Sequence, residues 1–226
     1  MSNINQLEDN LFAEWKNESG YITFASDGVV DPETWEKQKV KLLFVLKEVN
    51  AENQNFDLRF FLKNGGNKNY WRTWNNVARW TKGILEGGDY IRKVSKADKT
   101  YYLSKIAAMN LKKVGGRAFA ENEKIREYTK RDAYYIKKQI LLYNPDIIIC
   151  CGRGDGKNAD LLFEDVLTEE VCSNWKRTAN GFYYFEIQLS EKKHVPVISF
   201  YHPQMRGGHA IFEKRYHELM QVMKEI

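Results

Sequence analysis

Four stretches of the chain are apolar with little interruption: 41–47 (KLLFVLK), 104–111 (SKIAAMNL), 146–151 (DIIICC) and 195–200 (VPVISF). A strand with one wet face alternates apolar and polar residues. A strand covered on both faces does not, so these four read as neighbours in a parallel sheet buried from two sides. Between them, apolar residues recur at helical spacing. Segment 69–85 carries Trp71, Trp74, Val77, Ala78 and Ile84. Segment 121–143 carries Ile125, Tyr128, Ala133, Ile136, Ile140 and Leu141 along one side of a single long helix, which Asn144-Pro145 stops. Segment 210–226 places Ile211, Tyr216, Leu219, Met220 and Met223 on one face. Residues 35–38 end an N-terminal helical region, and 181–189 (GFYYFEIQL) reads as an antiparallel edge hairpin leading into the last strand. Strands alternating with helices imply crossover connections and an α/β sandwich. With no repeat, low-complexity tract or Pro/Ser-rich linker, 1–226 is expected to be one domain, with 1–40 as a helical extension.

Composition narrows this picture. The chain has 226 residues, 43% hydrophobic and 14% aromatic, enough for a sizeable core. No apolar run approaches the roughly 20 residues that span a bilayer. Residues 1–14 are polar and acidic, unlike a secretory leader. Of the three cysteines, Cys150 and Cys151 are strand neighbours that face opposite sides, and Cys172 stands apart. They read as reduced packing residues of a cytoplasmic protein. No C-x-x-C spacing suggests zinc or an iron–sulfur cluster, and no cofactor is expected. A net charge of +5 permits nucleic acid without requiring it. Most of the local basic clusters read as solvated helix faces. No membrane partner is expected, and the chain reads as a monomer.

The candidate chemistry sits just past the strands, because ligands of open α/β sheets bind outside the carboxyl ends. After the first strand comes Lys47-Glu48-Val49-Asn50, and the second ends in Asn110-Leu111-Lys112-Lys113. After the third comes Gly152-Arg153-Gly154-Asp155-Gly156, and after the fourth His202-Pro203-Gln204. A carboxylate, a carboxamide, a glycine-rich loop and an imidazole on one rim can read a polar heterocycle and assist hydrolysis. Pro203 turns the chain sharply out of the sheet and fixes His202. The glycine loop is not a P-loop, since Cys151 stands at the first glycine position and Asn158 follows Lys157 where Ser or Thr would hold magnesium. Its glycines still suit a backbone nest for one phosphate. His194, His209 and His217 read as surface residues, and Trp71, Trp74 and Trp80 as core.

In the order and spacing of these pieces the chain resembles the uracil-DNA glycosylase superfamily, over roughly 41–226. Residues 44–50 are similar to its first motif, Ala108-Met109-Asn110 to its base-reading turn, 145–152 to its third strand and glycine, and Tyr201-His202-Pro203-Gln204 to its last motif. The resemblance implies a three-layer α/β/α sandwich around a short central four-stranded parallel sheet. It implies a hydrolase that cleaves the N-glycosidic bond of a uracil-like or damaged base in DNA, without a cofactor. Glu48 would orient water and stabilise the oxocarbenium-like sugar, and His202 would donate to the departing base. Asn110 would read the base edge and Phe56 or Phe60 would stack on it. Lys47, Lys112, Lys113, Arg153 and Arg206 would hold phosphates. The chain departs from the pattern at Leu46, Val49, Glu48 and Gln204, where the family favours Gly, Pro, Asp or Asn, and Ser. A binding module that holds DNA or a nucleotide-like ligand without cleaving it is the alternative, and a small-nucleoside hydrolase a further one.

Overall fold

The computed structural model describes residues 4–66, 72–117, 119–168 and 171–226. In chain order the elements are α1 (Ile4–Glu18), β1 (Ala25–Ser26), β2 (Gly28–Val29), α2 (Pro32–Glu36), β3 (Leu42–Leu46), β4 (Phe56–Asp57) and α3 (Leu58–Lys63). There follow α4 (Arg72–Glu86), α5 (Lys96–Leu103), β5 (Ile106–Asn110), α6 (Asn122–Arg131), α7 (Ala133–Tyr143), β6 (Ile147–Cys151) and α8 (Asn158–Leu161). A π-helical turn (Leu162–Leu167), β7 (Lys176–Arg177), β8 (Tyr183–Ser190), β9 (Lys193–Phe200) and α9 (His209–Glu225) complete the chain. Residues 69–71, where the α4 helix was expected to begin, lie outside the described residues.

The molecule is mixed α/β. Its main sheet has seven strands in the order β2-β5-β3-β6-β9-β8-β7, rather than the four expected. The four apolar strands run parallel as neighbours within it, and antiparallel strands flank them on both sides. Parallel strands alternate their side chains between two covered faces. Leu43, Val45, Met109, Ile148 and Cys150 accordingly join one core with Trp15, Ile136 and Ile140 of α1 and α7. Phe44, Leu46, Ile149, Cys151 and Phe200 join the other with Trp80, Leu219 and Val222 of α4 and α9. Cys150 and Cys151 thus face opposite cores, and both are fully buried. Pro196 cannot donate to a ladder. The β6 pairing of β9 accordingly begins one residue later, at Val197.

Two expectations are corrected. The 1–40 segment is not simply a helical extension, because β2 joins the main sheet beside β5 and β1 pairs with β4 in a separate two-stranded sheet. Gly28 makes this approach possible: its φ is +122, and a Cβ there would lie 2.0 Å from the Tyr143 hydroxyl. The long helix expected over 121–143 breaks at Asp132, whose buried carboxylate accepts from Tyr21 Oη at 2.6 Å and Ser19 Oγ at 3.2 Å. The Asp132 backbone leaves helical geometry (φ −99, ψ 9), although its N–H still donates to the Tyr128 carbonyl and its carbonyl accepts from Ile136 N–H, and α7 follows at once. It ends at Asn144 in the left-handed conformation (φ 43), a common C-terminal stop ahead of a proline. Among the described residues no helix is long and apolar enough to cross a membrane.

Candidate functional site

The connection from β3 to β5 runs through α3, α4 and α5 and packs largely on one face. The connection from β5 to β6 runs through α6 and α7 on the other. Successive crossovers that leave in opposite directions open a crevice at the carboxyl ends of the strands between them, here β3 and β6. Lys47 follows β3, the 152–157 loop follows β6, and Tyr201-His202-Pro203 follows β9. Asn158 ties the floor together by donating to the carbonyls of Val45 at 3.0 Å and Cys151 at 2.9 Å. Gly152 N–H donates to the Phe200 carbonyl at 2.7 Å, joining the ends of β6 and β9.

His202 is half-buried, and Gln204 N–H donates to its Nδ1 at 3.1 Å. An Nδ1 that accepts carries no proton, so the neutral ring keeps its proton on Nε2. Burial, and then the nearby Lys47 ammonium, pull its pKa down to about 4. The imidazole is therefore neutral at physiological pH and presents a fixed N–H donor. The turn that carries it is anchored from α4, where Asn76 Nδ2 donates to the Pro203 carbonyl at 2.7 Å.

Lys47 meets a second cation. Its pKa falls to about 8, from burial first and then from Lys157 at close range, with Glu48 acting the other way. Its Nζ also donates to Asn122 Oδ1 at 2.5 Å, at the start of α6. Two ammonium groups held together repel each other unless an anion joins them. Arg153 lies against the rings of Phe182 (4.8 Å) and Tyr201 (5.1 Å) and donates to Tyr201 Oη at 3.0 Å. Arg206 is exposed in the loop before α9.

The structure draws the other expected residues elsewhere. Lys113 is fully buried against Asp27 at 2.6 Å, which corrects its assignment as a phosphate contact. Asn110 is 2% exposed, and both its backbone N–H (2.7 Å) and its Nδ2 (3.2 Å) donate to Asp27 Oδ2. Its amide is thus committed to the core rather than to a base. Lys112 forms an ion pair with Glu48, and both side chains are under 10% exposed. The Glu48 carboxylate also lies against Gly116, where a Cβ would come within 2.1 Å of Glu48 Cδ. Lys112 is thus committed to Glu48 and withdrawn from any phosphate. Phe56 packs on Phe61 with ring centroids 5.5 Å apart, and lines a separate cavity of about 370 Å³ with Phe12 and Phe24. Phe60, on α3, is 71% exposed.

Three site residues were not singled out from the sequence: Lys157, Asn122 and Asn158. The signal for the first was its place at the end of a glycine-rich loop after a parallel strand. Asn122 and Asn158 carry no comparable signal, since an Asn at a helix start ordinarily serves as a cap. Among the described residues, no three His, Cys, Asp or Glu side chains converge as a metal site. Comparisons with protein-family models, curated proteins and solved structures found no match to this chain.

Proposed function

We propose that this chain is a uracil-DNA glycosylase-like hydrolase, binding DNA at the β3–β6 crevice and cleaving the N-glycosidic bond of a base presented to His202. The order of its parallel strands along the sheet (second, first, third, fourth in the chain) is a doubly wound arrangement that puts a ligand crevice at the β3–β6 switch point. The observation that carries the functional reading is the neutral, Nε2-protonated His202 beside the Lys47–Lys157 pair. A base leaving with its electron pair builds negative charge on its carbonyl oxygens. A pre-set N–H donor stabilises that charge, and the loss of one such donor costs about 100-fold or more in rate. The neutral ring makes this a donor role rather than proton transfer. The paired lysines, with Arg153 and Arg206, supply the cationic ground for the sugar-phosphate chain. Glu48 is the carboxylate for water and for the cationic sugar, acting from within its ion pair with Lys112.

That ion pair, together with the commitment of the Asn110 amide to Asp27, favours one second reading: a module that holds the ligand without cleaving it. Base release separates the two. Oligonucleotides carrying uracil, hypoxanthine, xanthine or a mismatch are incubated with the wild type, H202A and E48Q, and abasic sites are opened with alkali. Release that falls about 100-fold or more in H202A, with thermal unfolding unchanged, supports the hydrolase. Salt-sensitive binding without release from any substrate overturns it in favour of the module.

A further inference from the structure

A second cationic hollow lies outside the rim. It is a cavity of about 540 Å³ between α4, the segment before α5 and the start of α9, lined among others by Arg72, Arg79, Arg92, Lys93, His209 and Phe212. Among the described residues no carboxylate lines it, and none of its four Arg and Lys residues makes an ion pair. Two acidic groups lie nearby, Glu213 acting on Tyr90 and Asp89 on Tyr216, and neither is part of the wall.

Arg79 organises this corner. It is 5% exposed, and every recorded partner of its guanidinium is neutral. Nε donates to the Ile91 carbonyl and Nη2 to the Arg92 carbonyl, each at 2.8 Å. Nη1 donates to Asn76 Oδ1 at 2.8 Å, and the Tyr90 ring lies 5.0 Å from the guanidinium carbon. Burial pulls its pKa down, as expected of a cation with no counter-ion at hand. Gripping the 91–92 backbone in this way presents Arg92 and Lys93 to the cavity. On the opposite wall, His209 Nδ1 meets Tyr90 Oη at 3.0 Å. Arg72, Arg92 and Lys93 are exposed around the cavity, so their charges stay available to a multiply charged anion while Arg79 holds the backbone beneath them.

We propose that this cavity is a phosphate-binding site for a ligand carrying two or more phosphate groups. A single carboxylate would leave most of the cluster uncompensated, and arginine forks match phosphate geometry. The volume falls within the range of about 300–1,000 Å³ typical of small-molecule sites, larger than one inorganic ion needs. Phosphates of this kind come from a free nucleotide or from a nucleic-acid backbone. Asn76 links the two sites, since it accepts from Arg79 and donates to Pro203, next to His202. The site stands whether or not His202 supports cleavage.

The test uses the full chain with three probes: inorganic pyrophosphate and ADP by calorimetry, and a short labelled oligothymidylate by fluorescence anisotropy over a salt series. R92A/K93A keeps the backbone carbonyls that Arg79 holds. It is expected to weaken binding about tenfold or more, and to make the oligonucleotide's salt dependence shallower. R92K/K93R, which keeps the charge and one arginine fork, is expected to bind more tightly than R92A/K93A, and thermal unfolding checks that each variant folds. Loss for pyrophosphate and ADP identifies a free nucleotide as the source, and loss for the oligonucleotide alone identifies the backbone. Wild-type affinity of R92A/K93A for every probe overturns the proposal. So does a wild type that binds none of them at millimolar concentration, or binding lost only when Lys157 is replaced by Ala. Base release has no part in this readout, so the fate of the His202 reading is decided separately.

Discussion

Lys113 and Lys157 both follow a parallel strand, and the molecule uses them in opposite ways. Lys113 is sealed in the core against Asp27, whose carboxylate accepts from Asn110 N–H, Asn110 Nδ2, Lys113 Nζ and Gln139 Nε2. Every charge in that knot is answered from within the chain. Lys157 instead faces Lys47 across the crevice, and burial first and then this second cation depress the Lys47 ammonium to about 8, with Glu48 opposing only in part. A charge matched internally holds the fold together, whereas the one left facing its like is the one that the proposed function assigns to a ligand. Glu8 is a core carboxyl of another kind, whose burial outweighs its partners and favours the neutral form. It is buried, accepts from Val29 N–H at 2.8 Å and pairs with Arg59 at 2.9 Å, fastening α1 to β2 and α3.

Removing the counter-ion of Lys113 has the largest expected effect. D27L leaves a buried ammonium unmatched and is expected to cost about 3–5 kcal/mol in chemical denaturation. The double variant D27L/K113M is expected to recover much of that loss. Equal stability of D27L and the wild type would show that the knot does not hold the fold.

The pH dependence of stability is the next test, because the two regions have opposite slopes. His202 has a folded pKa of about 4, below its ordinary 6.5. Its contribution is complete above pH 6.5 and is lost as the pH falls toward 4, since the unfolded chain binds the proton more readily. Glu8 is raised by burial from 4.5 to about 7, against the pull of Val29 N–H and Arg59. Its contribution is complete below pH 4.5 and is lost as the pH rises through 7. Over the shared window the two partly cancel. Urea midpoints measured across it are expected to rise with pH in E8Q and to fall with pH in H202N. Each arm is worth up to about 3 kcal/mol, less screening at half-buried His202. Parallel profiles in both variants would break the contrast.

The smallest effect on stability, and the sharpest on the rim, is expected from K157M. Relieving like-charge repulsion leaves stability unchanged or raises it by about 0.5 kcal/mol. The Lys47 pKa is expected to rise from about 8 but to stay below its ordinary 10.5, because burial remains, read by NMR titration of the side chain. A destabilised K157M would move Lys157 to the structural side of the comparison.

Much of the frame was legible in the residue order. The four apolar runs became the parallel strands, Asn144 and Pro145 stopped their helix, and Cys150 and Cys151 divided between the two cores. Short elements were not legible. β1, β2, β4 and β7 have two residues each, too few for a period to show; β2 and β7 pair with the longer β5 and β8, and β1 and β4 pair with each other. The site was legible as a set of strand ends but not as a division of labour. Asn110 and Lys47 each sit at or just past a strand end, yet one turns to a carboxylate 83 residues earlier in the chain and the other to a lysine in a distant loop.

By itself, the sequence determined the four parallel strands and which chemistry lies at their ends, because periodicity and strand termination are local properties of consecutive residues. Only the tertiary structure decided which of those polar groups are spent on the core and which remain at the rim. That outcome depends on what each group meets across the fold, and burial makes the meeting decisive by raising the cost of an unanswered charge.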